Sequence, residues 1–155
     1  MSFAPPPTLK PFADLEVEVG TPLEVGRTPH GLRRMIPILG GRVTGDGWTA
    51  RVLPGGADYQ RIVGETRAEL EAHYLLETDT GQRLYVHNTA LRHAAPEVTA
   101  RLMRGEPVDP SQVYFRCLPR LEAGPGPLEW VNHRLFVATG VRRPDRVLMQ
   151  FFQLD

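Results

Sequence analysis

Residues 68–88, AELEAHYLLETDTGQRLYVHN, decide the fold. Leu70, Ala72, Tyr74 and Leu76 recur at every second position, as do Leu84 and Val86, so each run presents one apolar face as a β-strand does. Between the runs, Thr78-Asp79-Thr80-Gly81 supplies a tight reversal in which glycine takes the positive φ that other residues resist. An antiparallel hairpin follows from these features. Working outward, comparable short runs recur at Leu15 to Val19, Leu32 to Leu39, Thr49 to Leu53, Tyr59 to Val63, Val113 to Leu121, Trp130 to Thr139 and Val147 to Leu154. With Ala68 to Thr78 and Arg83 to Asn88 they make nine segments. The 15 glycines and 15 prolines lie largely between them, a pattern of strands and turns. The expected fold class is all-β with one short helix: an antiparallel β-barrel, a calycin- or lipocalin-like closed sheet of about eight to nine strands.

Gly40-Gly41, inside an extended stretch, reads as a bulge or sharp bend, or as backbone space left for a ligand. Pro96 suits a first helical turn, Glu97 the positive end of the helix, Val98 and Leu102 share a face, and Gly105 ends the segment. That helix is expected to cover a barrel opening. Residues 1–10, with Pro5-Pro6-Pro7, read as a flexible lead-in, and 11–155 as a single domain.

The 18 basic and 18 acidic residues cancel, which removes the broad attraction most nucleic-acid and anionic-membrane binders use. No nucleic acid and no membrane is therefore expected as a partner. A single cysteine, Cys117, fits a reducing, cytoplasmic setting and reads as a packed thiol. His30, His73, His87, His93 and His133 form no closely spaced set with an acidic ligand, so neither a metal nor any other cofactor is expected. Pro54-Gly55-Gly56-Ala57-Asp58 lacks the lysine and the following helix of a phosphate-binding loop.

Strand alternation sorts the polar residues by face. Asp58 and Gln60 travel with Ile62, Asn88 with Leu84 and Val86, Arg116 with Tyr114 and Leu118, and Asn132 with Trp130 and Phe136. If these sets point inward they carry Asp58, Gln60, Asn88, Arg116, Trp130 and Asn132 to the interior or its mouth. Buried charges there need pairing, hydrogen bonds, water or a ligand. A register-fixing polar network and a small-molecule pocket both satisfy that demand.

The series Gly31 to Ile38, Gly40-Gly41, Val52 to Gln60, Tyr74 with Thr78 to Gly81, Tyr85 to Asn88, Leu91-Arg92-His93, Tyr114-Phe115-Arg116, Trp130-Val131-Asn132 and Phe136 to Gly140 resembles domain-of-unknown-function family 3237, uncharacterised protein family 0311. The resemblance covers about residues 12–154. It implies a lone β-barrel that assembles as a dimer, and no settled activity. Tyr59, where the family often has tryptophan, and Cys117-Leu118 depart from its pattern. The matching polar positions are Arg33, Asp58, Gln60, Asn88, Arg92, Arg116 and Asn132, beside Tyr74 and Trp130.

Two functions follow as expectations. In one, Asp58 is a general acid or base, Arg116 or Arg33 holds an anionic oxygen, and Gln60, Tyr74, Asn88, Trp130 and Asn132 bind substrate. The reaction is a metal-independent isomerisation, cyclisation, dehydration or hydrolysis of an aromatic or polyketide-like compound. In the other, the same barrel carries an apolar small molecule without altering it.

Overall fold

The computed structural model describes residues 1–155, and its backbone is organised around the hairpin of residues 68–88. Strand β6 (Arg67–Thr78) pairs with β7 (Arg83–His93) from Arg67↔His93 to Glu77↔Arg83. The turn between them is held by Gln82 N–H donating to the Thr78 hydroxyl at 3.0 Å, with Gly81 at φ 89°. From β7 the sheet runs antiparallel through β8 (Tyr114–Ala123), β9 (Leu135–Arg142) and β10 (Arg146–Leu154) to β1 (Leu9–Val19). From β6 it runs the other way through β4 (Thr49–Val52) and β5 (Ala57–Val63) to β3 (Gly31–Gly45). Because β1 pairs with both β10 and β3, the sheet closes into an eight-stranded antiparallel barrel, with β4 and β5 sharing one place in the wall. Closure leaves few open edges, which is what an all-β chain needs to avoid joining other chains edge to edge.

The fold is therefore the expected one, with local differences. Strand β2 (Leu23–Thr28) is additional and pairs only with β3. The amino-terminal strand begins at Leu9, inside the expected lead-in, and Thr8 and Asp155 exchange backbone hydrogen bonds; residues 1–7 carry no regular structure and are exposed. Gly40-Gly41 does mark a bulge: the β1–β3 register shifts between Glu18 and Val19. The space there admits no ligand, since a Cβ on Gly41 would lie 2.0 Å from the Glu16 carbonyl oxygen. A neighbouring backbone fills it.

The segment expected as a strand over Trp130 to Thr139 begins instead as a short 3-10 helix, Glu129–His133, and β9 starts at Leu135. Gly126 and Leu128 carbonyls accept from the Glu129 and Val131 N–H groups and coil the chain before it can extend. Helix α1 (Pro96–Met103) appears as read, with Pro96 in its first turn and Gly105 at φ 76° beyond its end. It buries Val98 and Leu102 against Ala94 and Val108. No helix is long and apolar enough to cross a membrane.

The interior is filled from one end. Phe12 packs against Trp48, Trp130 and Phe136 with ring centroids 5.4, 5.5 and 4.9 Å apart, closing the end nearest the 78–82 turn. Above this aromatic plug Leu76, Leu84 and Val86 are fully buried, each contributing roughly 1.5–3 kcal/mol by leaving water. At the plug end the buried polar side chains, Thr78 and Gln82, are bonded within the turn and to the 124–128 loop; charged side chains enter toward the other end, where Arg34 donates to the Met103 carbonyl at the end of α1, at 3.3 Å.

Candidate functional site

On the inner wall, in-phase positions of the neighbouring strands β5, β6 and β7 bring together Asp58 and Gln60, Tyr74, and Asn88 and Arg92, and Arg142 joins them from β9, one strand beyond β8. They line a cavity of about 40 Å³ whose remaining wall is apolar, including Val17, Ile36, Phe115 and Met149. Gly56 sets the approach: a Cβ there would meet the His73 carbonyl oxygen at 2.4 Å, so only glycine lets the start of β5 lie this close to β6 and aim Asp58 inward.

Hydrogen bonding in the cavity is incomplete on the protein side. Gln60 Nε2 donates to Asp58 Oδ2 at 2.9 Å, whereas Asp58 Oδ1 is buried with no partner. The Tyr74 hydroxyl, Asn88 Oδ1 and Arg142 Nη1 are likewise buried and unpartnered, as is Nε of the adjoining Arg34. Asn88 spends its amide on Met149 Sδ, a weak acceptor, at 3.5 Å. Since buried polar groups in folded proteins are nearly always satisfied, a cluster of such atoms facing one space marks a place for water or ligand.

The charges are unequal. Arg34, Arg92 and Arg142 share the region with one carboxylate, and Glu24 reaches Arg34 only from the outside, at 3.5 Å. Burial raises the Asp58 pKa above the ordinary carboxylate value, opposed by the Gln60 hydrogen bond, the fields of Arg92 and Arg142 and, least, the nearby Glu71 backbone N–H. Burial holds the Arg92 guanidinium down to about 10. Desolvation likewise lowers Arg142 and Arg34 and raises Tyr74, which keeps its phenol a neutral donor. One carboxylate with an elevated pKa thus stands in an arginine-rich, electropositive cavity. The two lining guanidiniums, Arg92 and Arg142, outnumber the one carboxylate and repel a cation, so this donor set suits an anion.

Of the residues singled out from sequence, Asp58, Gln60, Tyr74 and Asn88 come together in this cavity. Arg116 does not. Phe115, Cys117 and Leu121 take the inner positions of β8, so Arg116 is exposed on the outer wall, bonded to the Phe115 carbonyl at 2.9 Å and lying over the Tyr114 ring. Arg33 also faces outward, because Arg34 keeps phase with the buried Ile36 and Ile38. Both arginines line an open outer groove with Tyr59, Leu118 and Val137. Trp130 belongs to the aromatic plug. Asn132 bonds the backbone of Ala123, accepting at 2.8 Å and donating at 3.0 Å, and so finishes the end of β8. Neither reaches the cavity. The arginines missed by alternation, Arg142 in the cavity and Arg34 beside it, were in phase with Phe136 and Ala138 and with Ile36; Arg92, flagged only through the family resemblance, was in phase with Asn88.

Residues 7–154 match the model of the family described as "Protein of unknown function (DUF3237)". The chain belongs to this family. Among DUF3237 relatives, the UPF0311 protein RPA1785 of Rhodopseudomonas palustris is 43% identical over 140 residues, 90% of this chain and 92% of that protein. Its crystal structure superposes with a TM-score of 0.92, covering 98% of this chain and all of the other at 39% identity. A β-barrel like protein from Acinetobacter baumannii gives a TM-score of 0.87 at 31% identity, each chain covered in full. A protein from Penicillium herquei described as an enzyme gives 0.73 over the full chain and 99% of its own, at 14% identity; that likeness concerns the fold.

Proposed function

We propose that this DUF3237 protein performs acid–base chemistry on a small molecule that presents a carboxylate or enolisable oxygen to the interior cavity. The observation that carries the reading is the convergence of unpartnered buried atoms, Asp58 Oδ1, Tyr74 Oη, Asn88 Oδ1 and Arg142 Nη1, around one electropositive space. Asp58 Oδ1 accepts a proton from the carbon beside a carbonyl, and the resulting enolate oxygen faces Arg142, Arg92 and the Tyr74 hydroxyl. Return of that proton to another carbon completes an isomerisation. The raised pKa of Asp58 brings it nearer the working pH of a general base, and its Gln60 bond fixes the orientation of the other oxygen.

The volume narrows the substrate. Enclosing benzene takes about 150 Å³, whereas this cavity holds about 40 Å³. A whole aromatic or polyketide-like compound does not fit inside the barrel as it stands; its oxygen-bearing end fits, with the remainder at the α1 end. The same limit weighs against carriage of a fully enclosed apolar cargo.

The test is deuterium exchange. The chain is incubated in D2O with a panel of 2-oxo acids, β-keto acids and hydroxyaryl ketones, and label entering the α-carbon is followed by NMR. Exchange that falls at least about a hundredfold in Asp58→Asn supports the reading. Exchange unaffected by Asp58→Asn, or saturable binding with no exchange, contradicts it, the latter in favour of a binding protein.

A further inference from the structure

The outer wall carries a second constellation, on the other side of the sheet from the cavity. His73 on β6 and His87 on β7 are directly opposed cross-strand partners, and their rings stack with centroids 4.3 Å apart and an interplanar angle of 12°. Glu71, two residues before His73 on the same face, turns Oε1 toward both imidazoles. It lies 3.3 Å from His73 Nε2 and 3.0 Å from His87 Nε2. The potential donor atoms of all three residues lie within 4.8 Å of one another.

We propose that Glu71, His73 and His87 form a binding site for a borderline divalent cation, Zn²⁺ or Cu²⁺, on the outside of the barrel. Ligand atoms around a tetrahedral zinc with bonds of 2.0–2.1 Å stand about 3.3 Å apart, close to the two Oε1–Nε2 separations found here; the stacked rings, with centroids 4.3 Å apart, tilt toward each other for both Nε2 lone pairs to reach one ion. Two imidazoles and one carboxylate select such ions over Ca²⁺ or Mg²⁺, which take oxygen ligands. Tyr85 supplies an independent feature: its hydroxyl bonds His73 Nδ1. When Nδ1 donates to that oxygen, Nε2 carries the lone pair and faces the ion, the arrangement usual for metal-binding histidines. The three side chains are between one-third and three-fifths exposed, so solvent completes the coordination sphere. The simpler role for Glu71, accepting one N–H from each imidazole, needs no metal, and experiment separates the two.

Zinc titration by calorimetry on the tag-free, EDTA-treated chain is the experiment, with thermal unfolding followed in parallel. The site predicts one ion per chain and a Tm that rises with Zn²⁺. His73→Ala and His87→Ala, each confirmed folded by circular dichroism, weaken binding at least about tenfold and abolish the thermal shift. Tyr85→Phe weakens it about tenfold, the usual effect of losing the group that orients a ligand. His133→Ala leaves it unchanged. Absence of saturable binding, or affinity retained in both His73→Ala and His87→Ala, overturns the proposal.

Discussion

Gln60 Nε2 lies 2.9 Å from Asp58 Oδ2 while Oδ1 of the same carboxylate is buried without a partner. One oxygen of the carboxylate is anchored by a side chain and the other has no side-chain partner. A purely structural buried carboxylate normally has both oxygens satisfied, so the unpartnered Oδ1 is the atom to which the proposed acid–base role is assigned.

It also fixes a pH dependence. The folded pKa of Asp58 lies above its ordinary 3.8, so between those values the folded chain holds a proton that the unfolded chain has lost. Stability contributed by this group therefore falls as pH rises through that window. Asp58→Asn, which cannot ionise, gains stability over the parent at pH 7, and the gain vanishes below pH 3.8. Urea midpoints across pH 3–8 check this; a variant less stable than the parent at neutral pH would show that the arginines need the charge more than burial penalises it.

Tyr74 offers a second test of the cavity. Its hydroxyl is buried and unpartnered on the protein side, and removing such a group relieves up to about 1–3 kcal/mol. Tyr74→Phe is expected to unfold at the same or higher temperature while losing affinity for small oxyanions. Lower stability would mean the hydroxyl holds the core together through ordered water.

Gly41 tests barrel closure. At φ 141° with the Glu16 carbonyl 2.0 Å from any added Cβ, Gly41→Ala forces β1 and β3 apart. A loss of about 3 kcal/mol or more is expected. Gly47, at φ 76° in open space, provides the contrast, and Gly47→Ala costs about 1 kcal/mol. Equal effects in denaturant melts would argue that the close approach is dispensable.

The antiparallel pairing was legible in the sequence because alternation and turn chemistry agree in the 68–88 hairpin, and closure because strand-like runs recur often enough along the chain to complete a barrel. The inward face was legible wherever one phase of a strand was clearly more apolar. Leu70, Ala72, Tyr74 and Leu76 lead correctly to Tyr74, and Ile62 leads to Asp58 and Gln60. In β8 both phases hold large apolar residues. Tyr114 and Leu118 are more than half exposed, at 53% and 59%, yet resemble the buried Phe115 and Leu121 by composition. The phase was thus set by neighbouring strands, and Arg116 fell on the wrong side of the wall. Trp130 and Asn132 were misplaced for another reason: the turn after Gly126 coils into a 3-10 helix, so period-two spacing does not apply there. The approach of His73 to His87 depends on strand pairing, which spacing along one chain does not reveal.

Those outward residues make a control. Asn132→Ala removes two hydrogen bonds to Ala123 and is expected to lose about 1–2 kcal/mol of stability. Arg116→Ala leaves stability within about 0.5 kcal/mol, as expected at an exposed position. Neither alters oxyanion binding at the cavity, measured by NMR titration. A loss of binding in Arg116→Ala would move the site to the outer groove.

The side-chain amide resonances of Gln60 and Asn88 report from inside the cavity during a titration with acetate, a probe small enough to enter it. A cavity built for an oxygen anion predicts saturable shifts of both resonances, lost in Arg142→Met, with the Asn132 amide unmoved. Unshifted Gln60 and Asn88 amides, or shifts that persist in Arg142→Met, would contradict it.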